Sequence, residues 1–194
     1  MKHLGRKLFH LLGGIGLLSL YFIVGGDTAF FLYGALALLV LAFEIARLRV
    51  PAWNRFIFTR FGSFIRQNEE RRLTGIVPYI LGVALSLYAY STAVAAAAIC
   101  FLAFGDVAAT TVGERYGRTK IGDKSLEGAA AFVVAALAAG FVLSVLGPAP
   151  APWVLVLGAL AAAGVELLPL RINDNLMIPL LAGAVMELAL RLGR

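Results

Sequence analysis

Residues 92–147 read TAVAAAAICFLAFGDVAATTVGERYGRTKIGDKSLEGAAAFVVAALAAGFVLSVLG, and this stretch decides the fold. Two apolar runs flank a polar segment that carries acids, bases and glycines. Extended to residues 92–112 and 126–147, each run is close to the roughly 20 residues that a helix needs to cross a hydrocarbon layer of about 30 Å. The pattern therefore predicts two membrane-spanning helices joined by a polar loop.

The whole chain has the composition of an integral membrane protein. Of its 194 residues, 61% are hydrophobic and 14% are charged, and the mean hydropathy is +0.89, whereas soluble domains are about half apolar and about a quarter charged. Apolar runs between charge clusters predict seven helical spans, near residues 8–25, 28–46, 74–90, 92–112, 126–147, 153–170 and 175–191. We therefore expect one all-α, polytopic transmembrane bundle over residues 1–194, with no separate soluble domain.

Basic residues predict the orientation of this bundle, because Lys and Arg accumulate on the cytoplasmic side of short loops. With the N-terminus in the cytoplasm, all of the 17 Lys and Arg residues except Arg191 and Arg194 lie on that side. This distribution accounts for the net charge of +6 without a nucleic-acid partner. Residues 47–73 interleave arginines with aromatic residues, which predicts an amphipathic segment on the inner leaflet, either a lipid anchor or a lid over a lipid-entry groove.

The acidic residues predict where the functional site lies. An ionised acid at the bilayer centre costs about 2.5–3.5 kcal/mol on insertion scales, so acids within spans usually face the bundle interior and mark a function. Most of the 11 acids fall near the cytoplasmic ends of the predicted spans: Glu44, Asp106, Glu114, Asp123, Glu127, Glu166 and Asp174. A structural ion pair is the alternative for any one of them, such as Glu44 with Arg47, and for Glu187 with Arg191 at the opposite face.

The densest polar cluster is GDVAATTVGERYGRTKIGDKSLEG, residues 105–128. Its small residues, including Gly113 and Gly117, let the backbone approach a ligand or a partner helix closely. Ser125 is expected to cap the following span. Three acids offer the hard oxygen atoms that suit Mg²⁺: Asp106, Asp123 and Glu127. Four bases suit a polyphosphate: Arg115, Arg118, Lys120 and Lys124. Acids for a metal beside bases for phosphate predict phosphoryl or nucleotidyl transfer.

Two further clusters lie at the same face. In VELLPLRINDNLMIP, residues 165–179, Glu166 comes near the end of one span, and three polar residues open the next as site residues or helix caps: Asn173, Asp174 and Asn175. In RKLFH, Arg6 and His10 lie at i and i+4 and therefore share one helix face. A histidine at the level of the lipid headgroups is the alternative for His10.

The order of these clusters resembles the family of membrane lipid-alcohol kinases that includes dolichol kinase, phytol kinase and the CTP-dependent diacylglycerol kinase of yeast. The motifs that carry the resemblance are RKLFH, Glu44 with Arg47, GDVAATTVGERYG followed by KSLEG, and VE with DNLMIP. The central segment is also similar to phosphatidate cytidylyltransferase. That family ends in a D-R-x-D pattern where this chain has NDNLMIP, so the kinase is preferred and a CDP-lipid synthase is the alternative.

The resemblance implies transfer of the γ-phosphoryl group of CTP, with Mg²⁺, to the hydroxyl of a polyprenol or other isoprenoid alcohol, or of diacylglycerol. The nucleotide would come from the cytosol and the lipid from the inner leaflet. Asp106 and Asp174 are the first candidates for metal coordination or hydroxyl activation, and Glu166 and Glu127 come next. The triphosphate ligands would be Arg115, Arg118, Lys120 and Lys124, with Ser125 and Asn175 as neutral donors, and support would come from Arg6, His10, Glu44 and Arg47.

Several alternatives remain open from the sequence alone. A small ion-coupled transporter is the alternative outside enzymes, although the polar residues gather at one face and not at the bilayer midplane. Small residues in the central spans allow packing within one chain or in a homodimer. His10 could act as a base or orient a carboxylate. In a prokaryote, the multi-pass protein would lie in the plasma membrane with its site facing the cytoplasm.

Overall fold

The structure, a computed structural model, describes residues 4–62, 69–147, 149–168 and 172–193. Each predicted apolar segment contains a helix, so the predicted helical bundle is confirmed. The helices are α1 (Leu4–Val24), α2 (Gly26–Arg49), α3 (Pro51–Phe61), α4 (Ile76–Ala89), α5 (Thr92–Cys100), α6 (Asp106–Tyr116), α7 (Leu126–Leu146), α8 (Pro152–Leu167) and α9 (Asp174–Leu192). A π-helical turn, Phe101–Gly105, joins α5 to α6 without a break.

Helix length separates these elements into two groups. Within the described residues, five helical runs are long and apolar enough to cross a membrane: Gly5–Val24, Gly26–Arg49, Thr92–Tyr116, Leu126–Leu146 and Asp174–Leu192. The apolar helices α4 and α8 have only 14 and 16 residues. At 1.5 Å per residue they extend about 21 and about 24 Å, less than a hydrocarbon layer of about 30 Å. The count of seven spans therefore stays a prediction.

The continuous run Thr92–Tyr116 forms the centre of the bundle. Every residue from Val94 to Ile99 is fully buried, and four of them, residues 95–98, are alanines. Because alanine side chains are small, neighbouring helices can approach this run closely, and its α5 part packs against α1, α4, α7, α8 and α9. The enclosed run carries Asp106 into the interior of the protein, where only 5% of its surface is exposed.

The π-helical turn lies immediately before Asp106. Such wide turns are rare and often occur at functional sites. This turn packs against α7, where a Cβ atom at Gly105 would lie 2.6 Å from carbon atoms of the Phe132 ring. The contact requires a glycine, and it holds α7 against the turn that leads into Asp106.

Part of the segment 47–73, which the sequence predicts to be amphipathic and to lie on the inner leaflet, forms the helix α3; its place at the membrane stays a prediction. This helix begins at Pro51, because proline is favoured at the first helical position. It buries Ile57 and exposes three aromatic side chains: Trp53, Phe56 and Phe61. Residues 63–68 of the predicted segment lie outside the described part of the chain.

A short antiparallel hairpin, β1 (Lys120–Ile121) and β2 (Lys124–Ser125), connects α6 to α7. Gly122 in its two-residue turn has a φ of +59°, a backbone conformation that glycine adopts without strain. The sequence predicts only a polar loop in this region. The hairpin pairs Lys120 with Ser125 and so determines where the side chains of Lys124 and Ser125 lie.

Substitution of Gly82 by alanine is expected to destabilise the bundle. A Cβ atom at this position of α4 would overlap the backbone carbonyl oxygen of Asn175 in α9, and a backbone atom cannot move aside as a flexible side chain can. We expect a loss of about 1–3 kcal/mol of unfolding free energy, measured as a lower thermal midpoint in detergent. Gly16→Ala is the matched control, because a Cβ atom at Gly16 meets nothing within 4 Å; equal midpoints for the two variants would contradict the expectation.

Candidate active site

Two adjoining cavities lie at the end of the bundle where the predicted site residues gather. The first, which we call the apolar cavity, has a volume of about 370 Å³ and lies among α1, α2, α3, α4 and the start of α9. The second, which we call the polar cavity, has a volume of about 340 Å³ and lies beside α6, the hairpin and the end of α8. Arg6 lines both of them. The two cavities differ in chemistry and meet at one basic side chain.

The apolar cavity has mainly hydrophobic and aromatic walls. These walls come from α1, α2, α3 and α4: Phe9, Phe43, Ile57, Phe61, Ile76 and Tyr79. Its polar lining includes His10, Glu44 and Thr74, all of which are buried. Most ligand sites have this combination of apolar walls with a few fixed polar groups.

The polar cavity contains the centre of the densest sequence cluster. Lys120, Lys124 and Asp123 line it from the hairpin, and Glu166 lines it from the end of α8. Ser125 caps α7 as predicted, because its Oγ accepts a hydrogen bond of 3.1 Å from the Gly128 amide. The cavity therefore combines cationic side chains with the N-terminal end of a helix, an arrangement that attracts anions.

Three glycines let α6 and α7 meet around Ser125. A Cβ atom at Gly113 would lie 3.2 Å from Ser125 Oγ, and one at Gly117 would lie 2.6 Å from the same atom. At Gly128, a Cβ atom would lie 2.9 Å from the carbonyl oxygen of Ala109. The close approach predicted for Gly113 and Gly117 is thus present, between helix and hairpin.

Lys124 is the electrostatic centre of the polar cavity. Its Nζ lies 2.5 Å from Glu166 Oε1 and 3.1 Å from Asp174 Oδ2. Burial opposes the charged ammonium, but the carboxylates of Glu166, Asp174 and Asp106 raise the pKa of Lys124 above its ordinary value. Lys124 is therefore a protonated cation held by acids from two different helices.

Asp106 and His10 form a second buried pair. His10 Nδ1 lies 3.6 Å from Asp106 Oδ2, and the Tyr79 ring packs edge-on against the imidazole with 4.9 Å between centroids. The Tyr79 hydroxyl also donates a hydrogen bond of 2.6 Å to the His10 carbonyl. Gly14 makes room for this tyrosine, because a Cβ atom there would lie 2.6 Å from the hydroxyl oxygen. The imidazole is thus held between a carboxylate and an aromatic ring.

Glu44 and Arg47 form an ion pair, which the sequence predicts as the alternative to a functional role for Glu44. The distance between Arg47 Nη2 and Glu44 Oε2 is 2.7 Å. Arg47 is fully buried. Its guanidinium also donates to the side chain of Asn54 and to three backbone carbonyls, those of Glu69, Glu70 and Arg72. Glu44 accepts a further bond from the Thr74 amide. The pair thus fixes residues 69–74, which we call the strap, beside the apolar cavity.

Some predicted site residues lie outside both cavities. Arg115 and Arg118 are exposed and do not line either one. Glu127 accepts hydrogen bonds from the Thr119 amide, at 3.1 and 3.2 Å, so its contact here is structural. Their roles in binding triphosphate and metal stay predictions.

Two other predicted acids have structural partners. Glu114 pairs with Lys7 at 2.9 Å. Glu187 lies 3.9 Å from Arg191 and accepts shorter hydrogen bonds from the amide and hydroxyl of Ser91. The predicted pairing of Glu187 is confirmed, at the end of the bundle away from the cavities.

Asn173 and Asn175 open α9. Asn173 caps the helix, because its Oδ1 accepts from the Asn175 amide at 3.0 Å. Asn175 donates through Nδ2 to the Gly75 carbonyl at 2.9 Å and is buried. Both asparagines line the apolar cavity, so the structure places Asn175 away from the polar cavity.

Sequence reasoning missed Thr74 and Tyr79. Both sit at the start of an apolar run and read as ordinary residues of a span. The one sequence signal for Thr74 is that it is a polar residue close after the basic segment. No sequence signal distinguishes Tyr79 from other residues of a span. The packing of α1 against α4 brings Tyr79 to His10, and Thr74 lines the same cavity as both.

The carboxylates of Glu166 and Asp174 lie close together, since both contact Lys124 Nζ. Both already hold a cation, and Glu166 Oε2 is buried without a hydrogen-bond partner among the described residues. In the described part of the chain, no group of three or more His, Cys, Asp or Glu residues is close enough to hold a metal alone. Mg²⁺ commonly binds one or two carboxylates and completes its shell with water and phosphate oxygens, so the two acids fit this ion when a nucleotide is present.

Comparison with known proteins finds relatives of one kind. Over 160 residues the chain is 25% identical to CTP-dependent diacylglycerol kinase 1 of Schizosaccharomyces pombe, covering 75% of this chain and 73% of that protein. Over 143 residues it is 32% identical to the protein of the same name from Saccharomyces cerevisiae, covering 69% of this chain but 48% of the relative. The protein of that name from Eremothecium gossypii is 36% identical over 99 residues, which cover 49% of this chain and 31% of the relative.

The chain thus spans about half the length of the Saccharomyces relative, and less of the Eremothecium one. No family model matches the chain. No solved structure matches it either.

Proposed function

We propose, from the similarity of this chain to CTP-dependent diacylglycerol kinases, that it is a phosphotransferase that moves the γ-phosphoryl group of CTP to the hydroxyl of a membrane lipid alcohol. One observation carries the assignment of roles: a polar cavity and an apolar cavity meet at Arg6. A kinase that transfers a phosphoryl group from a nucleotide to a lipid needs two such sites with a shared boundary.

The polar cavity is the donor site. Lys120 and Lys124 would neutralise the triphosphate, and the capped start of α7 adds backbone amide groups and the positive end of a helix dipole. Phosphoryl transfer depends mainly on positioning and on neutralising charge. The lysines of this cavity supply the neutralising charge. The hydrogen bond from the Gly128 amide to Ser125 Oγ holds the hairpin against α7 and so positions them.

Glu166 and Asp174 would hold Mg²⁺ in the donor site. The bound ion would neutralise charge on the β- and γ-phosphates. Lys124, released from the two carboxylates, would turn to the phosphate oxygens. Its charge would then stay within the cavity, and only its partner would change.

The apolar cavity is the acceptor site, and His10 is the base. The imidazole lines this cavity, and Asp106 orients it from behind. Arg6 would contact the γ-phosphate at the boundary between the cavities. A weak base suffices in this reaction, because the proton leaves the alcohol late once the phosphoryl group is in line.

The reaction step follows from these positions. The lipid hydroxyl oxygen forms a bond to the γ-phosphorus while the bond from that phosphorus to the β–γ bridging oxygen breaks. The hydroxyl proton passes to His10 and then to solvent. The products are a lipid phosphate and CDP.

The membrane arrangement that we propose keeps seven spans, with the N-terminus and both cavities on the cytoplasmic side. Contacts between Lys7 and Glu114, and between Lys124 and both Glu166 and Asp174, support one shared polar end. The basic residues of the sequence favour the cytoplasm for that end. The short helices α4 and α8 would then reach across a locally thinned layer or end beside the polar cavity.

Phosphate transfer by the detergent-purified protein tests the proposed function. With Mg²⁺ and γ-labelled CTP, we expect label in the lipid fraction, with one CDP released per lipid phosphate formed. Diacylglycerol, geranylgeraniol and a longer polyprenol are offered separately, so that the labelled product identifies the alcohol. The measurement is thin-layer chromatography of the extracted lipid.

α-Labelled CTP with phosphatidate is the companion experiment. A kinase leaves no α-label in lipid, whereas a CDP-lipid synthase would incorporate it and release pyrophosphate. Absence of lipid label from both nucleotides, with a folded protein, would contradict the proposal. Incorporation of α-label alone would replace it with cytidylyl transfer.

A further inference from the structure

The hydroxyl of Thr74 is an unused polar group at the apolar cavity. Thr74 lines this cavity and is only 3% exposed. Its Oγ1 has no hydrogen-bond partner among the described residues. A buried hydroxyl without a partner costs free energy, so its retention needs an explanation.

The backbone around Thr74 is fixed from three sides. The Thr74 amide donates to Glu44 Oε2 at 2.9 Å, and the next amide, of Gly75, donates to Glu69 Oε1 at 3.1 Å. The Gly75 carbonyl accepts from Asn175 at 2.9 Å. The Oγ1 atom itself has almost no exposed surface, but rotation about the Cα–Cβ bond exchanges the methyl and hydroxyl groups of threonine. The hydroxyl can thus turn to a ligand in the cavity while the backbone of Thr74 stays in place.

The apolar surroundings of this hydroxyl indicate which ligand group would accept its hydrogen bond. Phe9, Phe43 and Ile76 make the nearby cavity lining apolar, and a hydroxyl donor there matches a lipid that carries an oxygen acceptor within its apolar body. An acyl ester carbonyl is such an acceptor. An isoprenoid alcohol has no oxygen except the hydroxyl that reacts, and an alkyl ether oxygen is a weaker acceptor than an ester carbonyl.

We infer that Thr74 donates a hydrogen bond to an ester carbonyl of the lipid acceptor and thereby makes the apolar cavity selective for acylglycerols. This inference rests on the proposed function, because it takes the apolar cavity as the acceptor site. Thr74 is a specificity-determining residue and takes no part in proton or phosphoryl transfer. Its loss should change the choice of lipid and leave the use of nucleotide unchanged.

Matched lipids and matched variants test this inference. Wild-type protein should use diacylglycerol about tenfold better, in kcat/KM, than the dialkylglycerol ether of the same chain length, the size expected for one hydrogen bond. Thr74→Val keeps the shape but removes the hydroxyl and should abolish this preference, with KM for CTP unchanged. Thr74→Ser restores the hydroxyl and should keep the preference.

Ser86→Ala is the control for removal of a buried hydroxyl. Ser86 Oγ is also buried without a partner among the described residues, but Ser86 does not line the apolar cavity, so its variant should keep the ester preference. A Thr74→Val protein that retains the preference, or that loses rate equally on ester and ether, would overturn the inference.

Direct binding separates this inference from the proposed function. Radiolabelled diacylglycerol and its dialkyl ether are titrated against detergent-purified wild type and Thr74→Val without CTP. A weaker binding of the ester alone in the variant supports the inference even if no phosphate is transferred, in which case the proposed function fails. Equal binding of the ester by both proteins overturns the inference even if the kinase activity is present.

Discussion

Asp106→Asn is expected to lower the rate of phosphate transfer by about 10²–10⁴-fold while the bundle stays folded. The substitution keeps the shape of the side chain but removes the negative charge that faces His10 at 3.6 Å. A general base and its orienting group contribute about this much to catalysis. Because the asparagine is neutral and its site is already polar, we expect little change in the thermal midpoint. The measurements are kcat with saturating CTP and lipid, and thermal unfolding in detergent.

Asp27→Asn is the matched control for Asp106→Asn. Asp27 lies in the first turn of α2 and is exposed, at the end of that helix away from Glu44 and both cavities. The control should retain the wild-type rate. If Asp106→Asn also retained a rate near that of wild type, the pairing of Asp106 with His10 would have no catalytic role.

Lys124→Met is expected to impair both nucleotide use and stability. It leaves Glu166 and Asp174 without the cation that lies 2.5 and 3.1 Å from them. Removal of one partner from a buried ion pair is strongly destabilising, and since Lys124 is about one-third exposed, we reduce the expected cost to about 2 kcal/mol. The kcat/KM for CTP should fall at least about 100-fold, because a phosphate ligand is lost.

Lys120→Met separates these two effects. Lys120 lines the same cavity but is exposed. Its Nζ donates a long hydrogen bond of 3.4 Å to the Gly113 carbonyl. Its variant should raise KM for CTP without lowering the thermal midpoint. The double variant Lys124→Met with Glu166→Gln should recover stability but not activity, because it removes one uncompensated charge. A Lys124→Met protein as stable as wild type would contradict this account of the site.

The sequence predicted the helices well because each apolar run is long and bounded by charge. It predicted α3 from the alternation of arginine and aromatic residues, and the caps of α7 and α9 from Ser125 and Asn173. It could not predict the π-helical turn, because Phe101–Gly105 has the composition of any apolar helix. The hairpin was also hidden, since two-residue strands have too few residues to show a pattern.

The site was predicted as a set of residues but not as an arrangement. Clustered acids and bases make Asp106, Lys124, Glu166 and Asp174 candidates for the site, because charged residues are rare in apolar segments. The structure brings Lys124, Glu166 and Asp174 into contact. Which acid faces which base depends on how distant helices pack, and spacing along the chain carries no such information. The same limit applies to Arg115, which lies near Lys124 in the sequence but is exposed on α6 in the structure.

The pairing of Glu44 with Arg47 has a consequence for how the protein is made. The two residues lie one turn apart on α2, so their ion pair can form within the isolated helix. α2 can therefore enter a membrane with its guanidinium already neutralised, while the strap is still being synthesised. The carbonyl groups of the strap then become available as later partners for Arg47. The order of biosynthesis thus matches the order in which this buried arginine requires its contacts.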